Sequence, residues 1–257
     1  MAYTTINKSG DYFGTLLYTG NNTNDRDITG LNFTPDFTWI KPRDYAGNHG
    51  LFDAVRGADK SIRSNQTRVE DTSPSNKDLD SFISGGIRVD QSNYIDTNSD
   101  GISTAAWNWK ANGQGSSNTD GSINTTYTSA NTTAGFSISS YTGTGSSATI
   151  GHGLGVAPEF IITKQLSSTQ DWNVQATLLG YSKYLVLNST AAQANTSGAL
   201  ISSVSSSTIT VDGNAQVNGS GATYVMYCFA SKTGYSKIGT YTGIASSDSN
   251  FVYLGFK

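Results

Sequence analysis

Apolar residues along the chain alternate with polar ones or form short blocks, and clusters of Gly, Asn, Asp and Ser interrupt them about every ten residues. This alternation is typical of β-strands, and no segment keeps a helical period. The segment from Tyr224 to Phe229 is apolar at every position, which predicts a central strand with both faces covered. The pattern as a whole predicts strands over residues 12–18, 37–41, 50–55, 102–109, 136–141, 160–164, 184–187, 208–211 and 224–230.

The sequence also repeats itself. Tyr18-Thr19-Gly20 returns as Tyr141-Thr142-Gly143, and Pro35-Asp36-Phe37 returns as Pro158-Glu159-Phe160, both at a spacing of 123 residues. The repeats predict a first domain over residues 1–117 and a second over residues 118–233. Tyr241-Thr242-Gly243 begins a third copy, so residues 234–257 are either a partial repeat or a hairpin that adds strands to the second domain or to a neighbouring subunit.

Short strands in repeats of this length are typical of antiparallel β-sandwiches. We therefore expect an all-β fold in which two such sandwiches follow one another in tandem, together with the start of a third repeat.

Composition excludes several classes of function. Only 14% of the residues are charged and the formal net charge is −3, so the chain has no basic field to attract nucleic acid. No apolar run is long enough to cross a membrane, and the N-terminus has no signal-peptide core. Cys228 is the one cysteine and is expected to be buried and inert. No cofactor is expected.

Four motifs carry a resemblance to a known kind of protein. The motifs are Gly135-Phe136-Ser137-Ile138 before Tyr141-Thr142-Gly143, Ile150-Gly151-His152-Gly153-Leu154-Gly155-Val156-Ala157-Pro158-Glu159-Phe160, Gly50-Leu51-Phe52-Asp53-Ala54-Val55-Arg56-Gly57, and Trp107-Asn108-Trp109-Lys110-Ala111. On these motifs the chain resembles a repeat module found in predicted tail-fibre and other virion proteins of marine bacteriophages, including those of cyanobacteria. The resemblance implies a lectin-like sandwich of the jelly-roll, concanavalin or SPRY type, and it implies no catalytic residue.

Few residues are candidates for chemistry. Trp172 lies at a junction between loop and strand, where its ring would suit stacking on a sugar, although packing in the core is the preferred interpretation. His49 and His152 are the only histidines and both lie in predicted turns. For the histidines, loop polarity or capping of the backbone is preferred over catalysis or ligand binding.

Two charged groups of residues leave alternatives open. The group around Arg56, with Asp53, Asp59, Lys60 and Arg63, is either a solvated hairpin with internal ion pairs or a face that contacts a virion protein or an anionic sugar. Asp96, Asn98 and Asp100 have the spacing that begins a calcium loop, but no Glu stands at the twelfth position. A polar hairpin turn is therefore preferred there over a weak calcium site.

A surface rich in hydroxyl and amide groups, with no export signal, is expected of a particle that assembles in the host cytoplasm and is released by lysis. The leading hypothesis is a non-enzymatic virion structural protein, a phage tail-fibre or adhesin module that contributes to host attachment. Its expected partners are other virion proteins and a host surface glycan, and it is expected to form a homo-oligomer, for which a trimer is one candidate. Two alternatives stay open: a capsid-decorating or tail-knob protein that binds only virion proteins, and a polysaccharide depolymerase, which would need paired carboxylates.

Overall fold

The chain folds almost entirely into short β-strands, which the computed structural model describes over residues 4–73, 78–91, 95–195, 200–245 and 250–256. Helical structure among these residues is limited to α1 (Ala215–Asn218) and the 3₁₀ turns Ser9–Asp11 and Thr177–Leu179. The first three residues of the predicted first repeat, and residues 246–249 and 257 of the predicted third, lie outside the described residues. The strands are β1 (Phe13–Thr19), β2 (Arg26–Thr29), β3 (Phe37–Pro42), β4 (Gly50–Asp53), β5 (Gly57–Arg63), β6 (Leu79–Ile83), β7 (Gly86–Val89), β8 (Ser103–Trp109), β9 (Tyr127–Asn131), β10 (Phe136–Thr142), β11 (Ala148–Gly151), β12 (Phe160–Gln165), β13 (Trp172–Ala176), β14 (Lys183–Val186), β15 (Ala194–Asn195), β16 (Ile201–Val204), β17 (Thr208–Val211) and β18 (Thr223–Phe229).

The prediction of an all-β fold is confirmed. Within the described part of the chain the strands form four sheets, and none of these sheets is closed into a barrel. Two sheets are large, with the orders β1-β8-β3-β4-β5 and β15-β14-β13-β12-β18-β10-β9, and two are small, with the orders β2-β7-β6 and β11-β17-β16. Every ladder between these strands is antiparallel.

Residues 4–117, called here the first half, and residues 118–233, the second half, have the same strand order. The run β1-β8-β3-β4-β5 of the first half corresponds to β10-β18-β12-β13-β14 of the second, and β2-β7-β6 corresponds to β11-β17-β16. The second half has additional strands at both edges of its large sheet, since β9 pairs with β10 and β15 pairs with β14. The sequence repeat therefore coincides with a repeat in strand order.

The nine strands predicted from the apolar pattern all coincide with observed strands, within two residues at each end. The segment that is apolar at every position forms β18, which lies between β12 and β10 as predicted. The strands that the pattern missed are mostly short and polar, such as β11 (Ala148–Gly151) and β16 (Ile201–Val204). Only one face of such a strand reaches a core, and three or four residues are too few to show a period of two.

Three buried apolar clusters lie between the sheets. One, which includes Leu16, Ile40 and Phe52, lies in the first half, and a second, which includes Tyr141, Met226 and Cys228, lies in the second half. The third, called here the shared cluster, joins residues of both large sheets. Its buried members are Phe37, Leu51, Val55, Ile62, Ala111, Phe136, Ile138, Ile162, Leu166, Trp172, Val174, Val225 and Tyr227.

Alternation along the strands explains how one sheet contributes to two clusters. In β18, Tyr224, Met226 and Cys228 point to the cluster of the second half, whereas Val225 and Tyr227 point to the shared cluster. Each of two sandwiches in tandem would have a core of its own, and the shared cluster is an additional apolar contact between the two large sheets. The division into domains at residues 117 and 233 stays a prediction.

Candidate functional site

A buried network of charges joins the two halves. The carboxylate of Asp53, at the end of β4, has no exposed surface. Its Oδ2 atom accepts hydrogen bonds from Arg56 Nε at 2.6 Å and from the hydroxyl of Tyr227 at 2.6 Å. Glu70 completes the network, with Oε1 at 2.9 Å from Arg56 Nη1. Because Tyr227 lies on β18 and the other three residues lie in the first half, the network links the halves by hydrogen bonds as well as by packing.

Local chain geometry holds Arg56 in place. The turn after β4 is closed by a hydrogen bond from the backbone N–H of Arg56 to Asp53 Oδ1 at 2.9 Å, which is the usual way in which Asp initiates a turn. Burial by itself would lower the pKa of Arg56, but Asp53, Tyr227 and Glu70 outweigh it and raise that pKa above its ordinary value. Burial also raises the pKa of the Tyr227 hydroxyl well above 10, so this group is a neutral donor.

A cleft of about 290 Å³ opens beside this network, where the hairpin of β4 and β5 meets β9, β10 and β18. Arg56 and Glu70 form part of its wall, and Lys60 and Tyr127 are half-buried in it. Its rim is formed by exposed side chains that end in hydroxyl or amide groups. These rim residues are Gln114, Thr126, Thr142 and Thr223. We call this site the polar cleft.

The charged group around Arg56 fits the interpretation as a solvated hairpin with internal ion pairs only in part, and the alternative, a contact face, stays a prediction. Arg56 forms an internal ion pair with Asp53. However, Asp53, Arg56 and Arg63 are all less than 8% exposed, so they are not solvated. They face the second half of the same chain. Their burial is tolerated because each charge of the pair Asp53 and Arg56 has its partner within hydrogen-bond distance.

Trp172 is buried, with no exposed surface, in the shared cluster. Its indole Nε1–H donates to the carbonyl oxygens of Arg63 at 2.8 Å and Gln66 at 3.1 Å. The ring therefore offers no face to a sugar in this conformation. It fixes the loop after β5 of the first half against β13 of the second.

Neither histidine lines the polar cleft. His152 has no exposed surface, its Nδ1 accepts the backbone N–H of Leu154 at 3.2 Å, and its Nε2 lies 3.3 Å from the carbonyl oxygen of Ser205. Burial lowers the pKa of His152, so the neutral ring caps the backbone of its turn. His49 is half-buried, and burial together with Lys41 lowers its pKa as well.

In the candidate calcium loop of Asp96, Asn98 and Asp100, the middle residue Asn98 is already bound by the side chain of Arg26. The Oδ1 atom of Asn98, which is buried, accepts hydrogen bonds from Arg26 Nη1 at 2.9 Å and from the backbone N–H of Asn21 at 3.1 Å. Asp96 accepts the hydroxyl of Ser99 at 3.2 Å. Among the described residues, no group of three or more His, Cys, Asp or Glu is placed to hold a metal ion. The arrangement fits the polar turn that was preferred for Asp96, Asn98 and Asp100.

A second cavity, of about 300 Å³, lies where the two large sheets separate, and its lining is almost wholly apolar. Three pairs of corresponding positions in the two halves line it, namely Phe37 with Phe160, Trp39 with Ile162, and Trp109 with Phe229. Ser236 and Ile238, from the segment that follows the second half, lie across its mouth. We call this the aromatic cavity.

Sequence reasoning missed the rim of the polar cleft, because isolated Thr and Gln residues on strand ends and loops have no distinguishing pattern. It also missed Lys164, whose side chain is buried and donates to the carbonyl oxygens of Gln165 at 2.7 Å and Thr67 at 3.3 Å. The corresponding Lys41 makes the same contact with the carbonyl of the next residue, Pro42, at 2.9 Å. The recurrence of Lys at these two corresponding positions was the one sequence signal that could have pointed to Lys164.

Comparison with known proteins places the chain in a family but adds no activity. No curated protein and no solved structure matches it. No helix in the described part of the chain is long and apolar enough to cross a membrane. The model of a domain of unknown function, DUF7483, matches residues 8–257. Since this match covers nearly the whole chain, the protein belongs to the DUF7483 family.

Proposed function

We propose that the chain is a non-enzymatic structural and binding module on the surface of a bacteriophage particle, a tail-fibre or adhesin component that holds a host glycan in the polar cleft. The observation that carries the proposal is the composition of that cleft. Hydroxyl and amide groups surround it, three tyrosines line it, of which Tyr127 is the half-buried one, and the ion pairs of Arg56 form part of its wall.

These groups match what a sugar presents. Hydroxyl and amide side chains can donate and accept at once, as the hydroxyls of a sugar do. The ring of Tyr127 supplies an apolar face for the C–H side of a pyranose. Arg56 and Glu70 are already paired with each other, so the cleft is polar without a strong net charge, which suits a neutral or weakly acidic glycan.

The site is shallow, and we expect a single copy to bind weakly. Presentation of several copies on one particle would raise the apparent affinity through effective concentration. A homo-oligomer, for which a trimer is one candidate, fits this mode of attachment. Tandem jelly-roll sandwiches of the concanavalin or SPRY type remain the proposed finer description of the fold, and they would present such clefts on a rigid support.

A capsid-decorating or tail-knob protein that binds only other virion proteins is the second candidate. It is favoured by the exposed apolar side chains of the C-terminal segment, where Tyr241 is 71% exposed and Phe251 is 89% exposed. A polysaccharide depolymerase is disfavoured. Hydrolysis of a glycosidic bond uses two carboxyl groups across the sugar, and Glu70, which is bound to Arg56, is the one carboxylate among the described residues that line the polar cleft.

Binding of the chain to host surface polysaccharides and to a glycan array tests the proposal. Thr142→Trp places a bulky ring at the rim of the polar cleft, and we expect it to weaken binding at least about tenfold through steric exclusion. Thr19→Trp is the matched control, because Thr19 is exposed at the corresponding end of β1 and does not line the cleft. Equal binding by Thr142→Trp and the unchanged chain would contradict the proposal.

Two further measurements separate the candidates. Release of reducing sugar from host polysaccharide would identify a depolymerase, whereas binding without release fits an adhesin. Labelling of this chain on intact particles, followed by electron microscopy, distinguishes head, tail and fibre positions.

A further inference from the structure

Among the residues that the structure describes, no strand lies beside the outer edge of β1. β1 is the last strand of its sheet and pairs only with β8. The hydrogen bonds from Lys110 N to Tyr12 O at 2.9 Å and from Gly20 N to Ile102 O at 2.8 Å fix the phase of this ladder. The backbone N–H and C=O groups of the residues between them with odd numbers, 13, 15, 17 and 19, therefore point away from β8.

Within the described residues, one hydrogen bond reaches these outward groups, from Arg26 Nη1 to the carbonyl oxygen of Thr19 at 2.7 Å. The groups of Phe13, Thr15 and Leu17 have none there. On the same strand, the side chain of Leu17 is 65% exposed. A strand edge of this kind is a template for pairing with another chain.

The second half shows how the corresponding edge is covered. β10 has the position of β1 in its sheet, and its outward residues Phe136, Ile138 and Ser140 pair with Asn131, Ser129 and Tyr127 of β9 in an antiparallel ladder. Residues 4–8 precede β1 by the same number of residues as β9 precedes β10, yet they form no strand. In the first half, the described residues therefore provide no strand at the position beside β1 that corresponds to β9.

The chain also contains a strand-forming segment without a sheet. Tyr241-Thr242-Gly243 aligns with the ends of β1 and β10, so residues 236–242 correspond in sequence to these two strands. These residues form no strand here, and Tyr241 is 71% exposed and Ile244 is 58% exposed. Thr240, Tyr241 and Thr242 are β-branched or aromatic residues, which are the types that favour strands.

The direction in which this segment would run along β1 determines whether it can come from the same chain or must come from another molecule. The segment starts beside the beginning of β1, where the rings of Tyr12 and Tyr235 pack edge to face with centroids 6.2 Å apart. From that point the segment could pair with β1 of its own chain only in the parallel direction. Every ladder between the strands of the fold is antiparallel. Antiparallel entry begins at the Thr19 end of β1, which the segment of another molecule can reach.

Ile238 lines the aromatic cavity of its own chain and donates its N–H to Ser231 Oγ, whereas residues 239–244 are exposed. We propose that β1 of one molecule accepts residues 239–244 of a second copy as an antiparallel sixth strand of its five-stranded sheet. Donor and acceptor are different surfaces of the same chain, so the contact is head to tail and gives chains or rings of molecules. This contact is independent of glycan binding in the polar cleft.

The test uses one variant on each surface. Leu17→Pro removes an outward N–H without removing a hydrogen bond to β8, since Pro is tolerated on edge strands where its missing N–H faces solvent. Leu17→Lys tests the same edge by charge, without constraint on the backbone. Tyr241→Pro prevents the donor segment from forming a continuous strand. Circular dichroism and thermal unfolding check that each variant is folded.

Sedimentation equilibrium then gives the assembly state. We expect the mass-average mass of the unchanged chain to rise at least about twofold between roughly 1 and 100 μM, and we expect each single variant to stay monomeric. An equimolar mixture of Leu17→Pro and Tyr241→Pro retains one intact donor and one intact acceptor. It should therefore form dimers and nothing larger.

Three results would overturn the proposal: an unchanged chain that is monomeric throughout, Leu17 variants that assemble as the unchanged chain does, or a mixture that stays monomeric. A dimer that Leu17→Lys abolishes and Tyr241→Pro leaves intact would show that β1 pairs with a second β1 and would refute the donor segment.

Discussion

The hydroxyl of Tyr227 provides a direct measure of how strongly the two halves are coupled. Tyr227→Phe deletes one oxygen atom and leaves the ring in the shared cluster. The lost hydrogen bond is 2.6 Å long, buried, and accepted by the carboxylate of Asp53, so it is charge-assisted. Such bonds contribute about 1.5–3 kcal/mol. Asp53 keeps its two hydrogen bonds from Arg56, which limits the loss to that range.

Equilibrium unfolding in urea, followed by circular dichroism and tryptophan fluorescence, measures this loss. The expected result is one cooperative transition at lower urea concentration, with the free energy of unfolding reduced by about 1.5–3 kcal/mol. Tyr141→Phe is the matched control. The Tyr141 hydroxyl is also buried and donates over 2.6 Å, but to the neutral carbonyl of Val217 within the same half, so its removal should cost about 1 kcal/mol.

A change of less than about 0.5 kcal/mol for Tyr227→Phe would refute the reasoning, because it would mean that the hydroxyl does not stabilise Asp53. Two separate transitions would also contradict it. In that case the halves would unfold independently, and the shared cluster would not couple them.

Three further predictions follow from buried polar groups that tie loops to the core. Burial lowers the pKa of Lys164 from 10.5 to about 8. Between these two values the unfolded chain binds more protons than the folded one, so the stability of the unchanged chain should rise with pH relative to that of Lys164→Met. Urea midpoints of both proteins at several pH values between 7.5 and 9 test this, and parallel pH profiles would contradict it. Trp172→Phe loses two hydrogen bonds to carbonyl oxygens of the first half and leaves a gap, so we expect the free energy of unfolding in urea to fall by about 2–4 kcal/mol. Asp36→Ala leaves two backbone N–H groups of the segment after β8 without their acceptor and should cost about 1–3 kcal/mol, whereas stability unchanged within about 0.5 kcal/mol would argue against that contact.

The sequence was most informative about the long strands, in which enough positions show whether one face or both faces are apolar. β18 could be predicted as a central strand because all its positions from Tyr224 to Phe229 are apolar, and the structure covers one face with the small sheet and the other with the first half. The pattern indicated that both faces are covered. It could not indicate that the second cover is the other half of the chain, since alternation specifies a face and not the surface that packs on it.

The candidate site was less predictable for the same reason. Trp172 and His49 stand at corresponding positions of the two repeats, 123 residues apart, and Trp172 pairs with Lys164 in the ladder of β12 and β13. Trp172 is buried because it packs in the shared cluster and donates its N–H to the loop after β5 of the first half, a contact between residues more than one hundred positions apart. Arg56 suggested an exposed charge because unpaired charges are seldom buried, and it is buried because Asp53 and Glu70 neutralise it.

The shared cluster bears on how this protein could be shortened or transplanted. Expression of either half alone would expose the aromatic side of a large sheet to water, including Phe37 and Trp109 in one half and Phe136 and Tyr227 in the other. We expect such a fragment to aggregate or to dimerise with itself. A designer who moves this scaffold into another protein should therefore graft both halves as one piece and place new loops at the strand ends rather than cut at the junction.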